Sequence, residues 1–135
     1  MFPKETRILL VDDMTSIRDL VRSQLRSMGY NDIIECANGE DAFNALERQN
    51  QSSRPVGLVI SDWNMPVMTG LELLKKARSQ PEYASLPIIL LTSESERDQV
   101  TEAVLSGVSQ YVVKPFSGKI FEEKMRGAWQ KHNKS

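Results

Sequence analysis

Asp62 stands at the end of a short apolar run, residues 58–61 (LVIS), and is followed at once by the turn-forming Trp63-Asn64-Met65-Pro66. Proline disfavours helix at the residue before it, so the carboxylate belongs at the end of a buried strand, facing a loop. A carboxylate so placed can serve as a nucleophile that accepts a phosphoryl group. The other apolar runs stop on polar residues in the same way. Residues 7–11 end at Asp12 and Asp13, residues 88–91 end at Thr92, and residues 110–114 end on Lys114 before Pro115. Three carboxylates converging on one spot repel one another unless a cation joins them, and hard oxygen ligands suit Mg²⁺. Mg²⁺ takes only one or two carboxylates and keeps several waters, which leaves one carboxylate free for chemistry. Lys114 can then neutralise charge on phosphoryl oxygens, and the Thr92 hydroxyl can donate to the same group.

These residues act together only if the chain brings the ends of several strands side by side. Residues 7–11 are continuously apolar after one charge, the pattern of a strand covered on both faces. From Thr15 the period becomes helical, with Ile17, Leu20, Val21, Leu25 and Met28 apolar and Gly29 as the stop. Residues 33–37 read as a second strand, and Asn38 as the cap of a helix carrying Ala42, Phe43 and Leu46. Residues 49–57 (QNQSSRPVG) have no periodicity and contain Pro55 and Gly57, which predicts a surface loop. After the third strand, Thr69 with Glu72 has capping-box spacing, opening a helix with Leu71, Leu74 and Ala77 inward. Ser95 with Asp98 has the same spacing before a fourth helix with Val100, Ala103 and Val104, ended by Gly107. A last helix from about Ser117 places Ile120, Phe121, Met125, Ala128 and Trp129 on one side, ahead of a polar tail. Five strands alternating with five helices predict an α/β domain with a parallel sheet and helices on both faces. In such sheets the ligand crevice lies outside the carboxyl ends of the strands, where the polar residues cluster here.

The 135 residues fit one domain spanning 1–135, able to bury roughly two thirds of its unfolded surface. A net charge of -1 supplies no field for gripping nucleic acid. No apolar run is long enough to span a membrane, and residues 1–7 lack a signal-peptide core. The single cysteine, Cys36, suits a reducing cytoplasm and reads as a small buried hydrophobe. Trp63, beside Asp62, reads as a rim residue sensing the site, and Trp129 as packing. His132, the one histidine, falls in the polar tail, which argues against a histidine phosphotransfer module.

The combination of Asp12-Asp13, residues 60–74 (ISDWNMPVMTGLELL), Thr92-Ser93-Glu94 and residues 111–116 (YVVKPF) closely resembles the receiver domain of two-component response regulators. Among receivers it is most similar to the stand-alone chemotaxis regulators, and the likeness runs through almost the whole chain. The resemblance implies a flavodoxin-like (βα)5 fold with a five-stranded parallel sheet in the order 2-1-3-4-5. It implies Asp62 as phosphoacceptor, charged from a phosphohistidine on a CheA-like histidine kinase. It implies Mg²⁺ held by Asp13, Asp62 and the backbone carbonyl of Asn64, with Asp12 reaching it through water. Lys114 matches the lysine that contacts the phosphoryl group, before a proline the family holds in cis. Thr92 and Tyr111 match the switch pair, in which the hydroxyl moves toward the phosphate and the ring turns inward. Asn64 and Glu94 occupy the positions where the family tunes dephosphorylation. The implied output partner is the flagellar motor switch, a phosphatase is a further partner, and the protein is a cytoplasmic monomer with no nucleic acid or membrane role. Four positions depart from the pattern: Thr69 replaces an acidic residue, Ser93 a small apolar one, Glu96 a basic one, and the 49–57 loop is long.

Two other classes compete. Haloacid-dehalogenase-type phosphohydrolases also use an aspartate with Mg²⁺, but need a second carboxylate two residues on as acid/base. That position is Asn64 here, which predicts a slowly decaying phosphoaspartate rather than turnover. A stand-alone receiver serving as a phosphate sink, or acting on another partner, is the remaining alternative.

Overall fold

The computed structural model describes residues 1–93 and 99–133. Five strands, β1 (Ile8–Val11), β2 (Ile33–Cys36), β3 (Leu58–Asp62), β4 (Ile88–Thr92) and β5 (Gln110–Val113), form one parallel sheet. Its order is β2-β1-β3-β4-β5, so the chain reverses direction of travel across the sheet between β1 and β3. The helices are α1 (Thr15–Ser27), α2 (Gly39–Asn50), α3 (Gly70–Arg78), α4 (Val100–Leu105) and α5 (Gly118–His132), with a 3-10 turn at Pro81–Tyr83.

Alternation along the strands splits the core in two. Ile8, Leu10, Leu58, Ile60, Ile89, Leu91 and Val112 face α1 and α5, where Val21, Leu25, Phe121, Met125 and Ala128 are buried. Leu9, Val11, Val59, Ile88 and Leu90 face α2, α3 and α4, meeting Phe43, Leu46, Leu73, Leu74 and Ala103. Both faces being covered is what the unbroken apolar strands require. Among the described residues, no helix is long and apolar enough to cross a membrane.

Local signals worked where they had a side chain to act through. Asn38 accepts the Asp41 N–H at 2.8 Å, and Thr69 with Glu72 forms a reciprocal capping box. Ser117 accepts the Ile120 N–H to open α5. The proposed Ser95–Asp98 box lies outside the described residues. Leu20, Val104 and Ile120 are corrections: all three stand in apolar stripes yet are 57%, 53% and 42% exposed. Each sits at the margin of its stripe, where cover depends on the neighbouring element rather than on periodicity. Leu73, absent from the sequence reading, is buried instead of Leu71, which is only partly covered.

The 49–57 segment is a loop only after α2, which takes in Gln49 and Asn50. It is tied down by charge. Arg54 pairs with Asp32 at 2.8 Å and donates to the Glu5 carbonyl, while Arg7 reaches Asp32, Gln49 and the Arg54 carbonyl. His132 is also no tail residue: it lies in the last turn of α5 with its Nε2 2.6 Å from Ser109 Oγ. Because Ser109 Oγ also accepts the Ile88 N–H, this pair pins the end of α5 to the base of β4.

Candidate functional site at the carboxyl edge of the sheet

Backbone pairing continues one residue past three strands and sets the site. The Asp12 N–H donates to Cys36 O, the Trp63 N–H to Leu91 O and the Lys114 N–H to Thr92 O. Asp62 is the last residue of β3 rather than the first beyond it, and is only 6% exposed. The next residue must point to the opposite face, so Trp63 enters the core under α2 and α3 at 3% exposure. That corrects the expectation of a rim residue: the pleat decided the direction of the indole, and burial of its large apolar area holds it there.

The loop beyond is tightly folded. The Gly70 N–H donates to Trp63 O at 2.8 Å, and a Cβ at Gly70 would sit 2.3 Å from Asp62 O. Only glycine lets α3 start this close to the strand end. Met68 N–H reaches back to Pro66 O at 2.7 Å, a γ-turn that leaves Val67 at φ 70° with its side chain exposed. Lys114–Pro115 is a cis peptide, as the resemblance implied.

At the centre, one carboxylate oxygen from each of Asp12, Asp13 and Asp62 lies within 4.8 Å of the others. Asp12 and Asp62 are buried and Asp13 is exposed, so the cluster opens to solvent on one side. Lys114 Nζ donates to Asp62 Oδ1 at 2.7 Å. Asp12 Oδ1 accepts the Met14 N–H at 2.8 Å, but its Oδ2 is buried with no hydrogen-bond partner. Burial lifts the Asp12 carboxyl to about 6 and Asp62 adds to the lift, against the opposing pull of the Met14 N–H and Lys114. A buried orphan oxygen beside two further carboxylates is a hard-oxygen donor set short of positive charge, which fits a small divalent cation. Thr92 is fully buried, and its Oγ1 likewise lacks a partner. Its hydroxyl therefore holds a hydrogen bond in reserve for whatever group arrives at the strand ends.

The fold thus brings together Asp12, Asp13, Asp62 and Lys114, with Thr92 at the end of the adjoining strand. Asn64 is exposed on the loop two residues past Asp62. Tyr111 is half-buried on β5, paired with Leu90 of β4, and Glu94 lies outside the described residues. Two contacts could not be foreseen from the sequence. Arg18, on the first turn of α1, donates to Asp12 O and braces the β1–α1 turn. Lys124 places its ammonium 5.1 Å from the centre of the Tyr111 ring. Arg18 could have been suspected from its place one turn after a double aspartate; nothing in the sequence pairs residues 111 and 124.

The model of the response regulator receiver domain matches residues 8–126. The chain belongs to the response regulator receiver family. Its curated relatives include a chemotaxis protein CheY homolog of Campylobacter jejuni, 37% identical over 119 residues that make up 88% of each chain. Among solved structures, the receiver is similar to the chemotaxis response regulator CheY4 of Vibrio cholerae, with a TM-score of 0.78 and 34% identity over 92% of this chain and 98% of that one. A response regulator receiver protein from Pseudomonas putida gives a TM-score of 0.78 at 25% identity, covering 93% and 98%. The protein is therefore a CheY-like receiver, a phosphorylation-based signalling module of the two-component type and not a classical enzyme.

Proposed function

We propose that this receiver takes a phosphoryl group onto Asp62 from a phosphohistidine of a CheA-like kinase and thereby changes its binding to the flagellar motor switch. The observation that carries the proposal is the convergence of Asp12, Asp13 and Asp62 within 4.8 Å with Lys114 2.7 Å from Asp62. An Asp62 carboxylate oxygen attacks phosphorus, the P–N bond breaks, and its electron pair returns to the imidazole nitrogen. Lys114 orients the carboxylate beforehand and balances charge on the phosphoryl oxygens afterwards. Mg²⁺ would be held by Asp13, Asp62 and the Asn64 carbonyl, with Asp12 reaching it through water, and would supply positive charge to the phosphoryl oxygens. The unpartnered Thr92 hydroxyl turns to the new phosphoryl oxygens, and Tyr111 moves into the space behind it. Asn64 and Glu94 set how fast water removes the group. With an amide at position 64 there is no general acid for rapid turnover, so the protein acts on itself alone. The chemotaxis names of its relatives support the kinase and motor partners. Residues 1–135 then act as one cytoplasmic, monomeric receiver domain, which a phosphatase resets.

The test is incubation with Mg²⁺ and acetyl phosphate, followed by assay of acid-stable, base-labile phosphate. One phosphate per chain is expected, lost in Asp62→Asn. Equal labelling of Asp62→Asn, or catalytic release of phosphate from many substrates, would sink the proposal. A pull-down with motor-switch peptides should capture the phosphorylated form more strongly; equal capture of both forms counts against this output.

A further inference from the structure

Tyr111 sits on β5, one of the two edge strands of the sheet, paired with Leu90 of β4. Thr92 pairs with Val113 in the same register, so Tyr111 and Thr92 share a face of the sheet about 7 Å apart along the strand direction. That face is the one covered by α3 and α4, since Leu90 belongs to it. Lys124 belongs to α5, whose Phe121, Met125 and Ala128 are buried against the opposite face. Its ammonium reaches the Tyr111 ring at 5.1 Å, so its side chain passes round the uncovered edge strand to do so. A cation held over a phenol ring at that distance stabilises the position the ring now has.

We propose that Lys124 is a positioning residue that latches the Tyr111 ring at the sheet edge until Asp62 is phosphorylated. The inference deepens the proposed function and rests on its Thr92–Tyr111 switch pair. Thr92 keeps its hydroxyl unpartnered, so its own preference for one state is set by what arrives at the strand ends. Tyr111 has no such vacancy to fill beforehand, because the cation engages its ring from outside. Inward movement of the ring gives up that contact. The latch therefore opposes the switched state by the free energy of one cation–π contact, about 2- to 5-fold in population at a partly exposed site. By reciprocity, whatever draws the ring inward is weakened by the same factor, phosphoryl binding at Asp62 included.

The test uses the full chain labelled with 3-fluorotyrosine. Tyr30 and Tyr83 are buried elsewhere, and Tyr111→Phe identifies the third resonance. Lys124→Met keeps the apolar stem and removes the charge; Lys124→Arg keeps a cation. Without phosphodonor, Lys124→Met should move the Tyr111 resonance in the direction that Mg²⁺ with acetyl phosphate moves it in the wild type. The affinity of beryllium fluoride, a phosphoryl mimic, for the Mg²⁺-loaded chain should rise about 2- to 5-fold in Lys124→Met. Lys124→Arg should match the wild type in both respects, at an unchanged melting temperature. A wild-type resonance or a wild-type beryllium fluoride affinity in Lys124→Met overturns the latch, as does Lys124→Arg behaving like Lys124→Met, which would assign the effect to packing of the stem. The switch-pair reading fails separately, if acetyl phosphate leaves the wild-type Tyr111 resonance in place. In that case a Tyr111 resonance displaced in Lys124→Met and restored in Lys124→Arg, both without phosphodonor, still shows that the cation positions the ring, and an undisplaced one overturns it.

Discussion

Replacing Asp12 by asparagine should stabilise the metal-free protein, although Asp12 is part of the functional site. Asp12 is fully buried, its Oδ2 has no partner, and its carboxyl is raised from 3.8 to about 6 by burial first and by Asp62 next. A folded-state value above the unfolded one means the native state resists ionisation of this group. Below about pH 4 the carboxyl is protonated in both states and exacts no penalty. As pH rises from about 4 to about 6 the unfolded chain ionises first and the native state falls behind. Above about 6 the penalty is complete, and two units at 1.36 kcal/mol each make it about 3 kcal/mol. Asp12→Asn keeps an oxygen to accept the Met14 N–H, and its amide can donate toward the neighbouring carboxylates. Urea unfolding followed by far-UV circular dichroism, from pH 4 to pH 8 without metal, measures the difference between variant and wild type. It should be near zero at pH 4 and grow to about 2–3 kcal/mol in favour of the variant at pH 7.5. Adding Mg²⁺ at pH 7.5 should stabilise the wild type more than the variant and narrow the gap, since binding to the native state alone raises its stability. A variant less stable than wild type at pH 7.5, or a difference independent of pH, would refute the view that Asp12 is held at a cost for a cation.

Gly70→Ala should cost several kcal/mol or prevent folding, because its Cβ would meet Asp62 O at 2.3 Å; the melting temperature checks this. Val67→Gly should raise stability by about 1 kcal/mol in urea unfolding, since glycine occupies φ 70° without strain. Lys114→Met should slow acetyl phosphate labelling at Asp62 by about 100-fold while the labelled residue stays the same, as removal of one preorganised charge does. Burial and then the nearby Arg78 and Lys131 hold the His132 imidazole below its usual range. The unfolded chain therefore takes up its proton first, and the Ser109–His132 clamp loses stability as pH falls below about 6.5. His132→Gln should flatten that acid limb of the unfolding profile, and an unchanged limb would remove His132 as its source.

The strand-end residues were legible because sheet chemistry leaves them nowhere else to be. An unbroken apolar run must be covered on both faces, so its first polar residue marks where the sheet meets solvent. Asp12, Asp62, Thr92 and Lys114 could be picked out on that ground, and the caps at Asn38 and Thr69 on the chemistry of their own side chains. Motif resemblance then supplied Tyr111, Asn64 and Glu94, which periodicity alone would have passed over. Leu20, Val104 and Ile120 misled because a stripe states which side of a helix is apolar, not how far its neighbour extends across it. Trp63 misled because adjacency to Asp62 in sequence is opposition across a pleated strand.

The sequence by itself determined the five alternating units, the types of residue at their carboxyl ends and the kind of chemistry these permit, because local periodicity and side-chain type are properties of short stretches. Only the tertiary structure decided which oxygens and cations are partnered. Asp12 is left with an orphan oxygen, Lys114 reaches Asp62 across 52 positions of chain, and Lys124 comes round an edge strand to Tyr111. Those relations depend on the crossing order of the strands and on burial by distant elements, and burial is what turns an ordinary aspartate into a group that needs a cation.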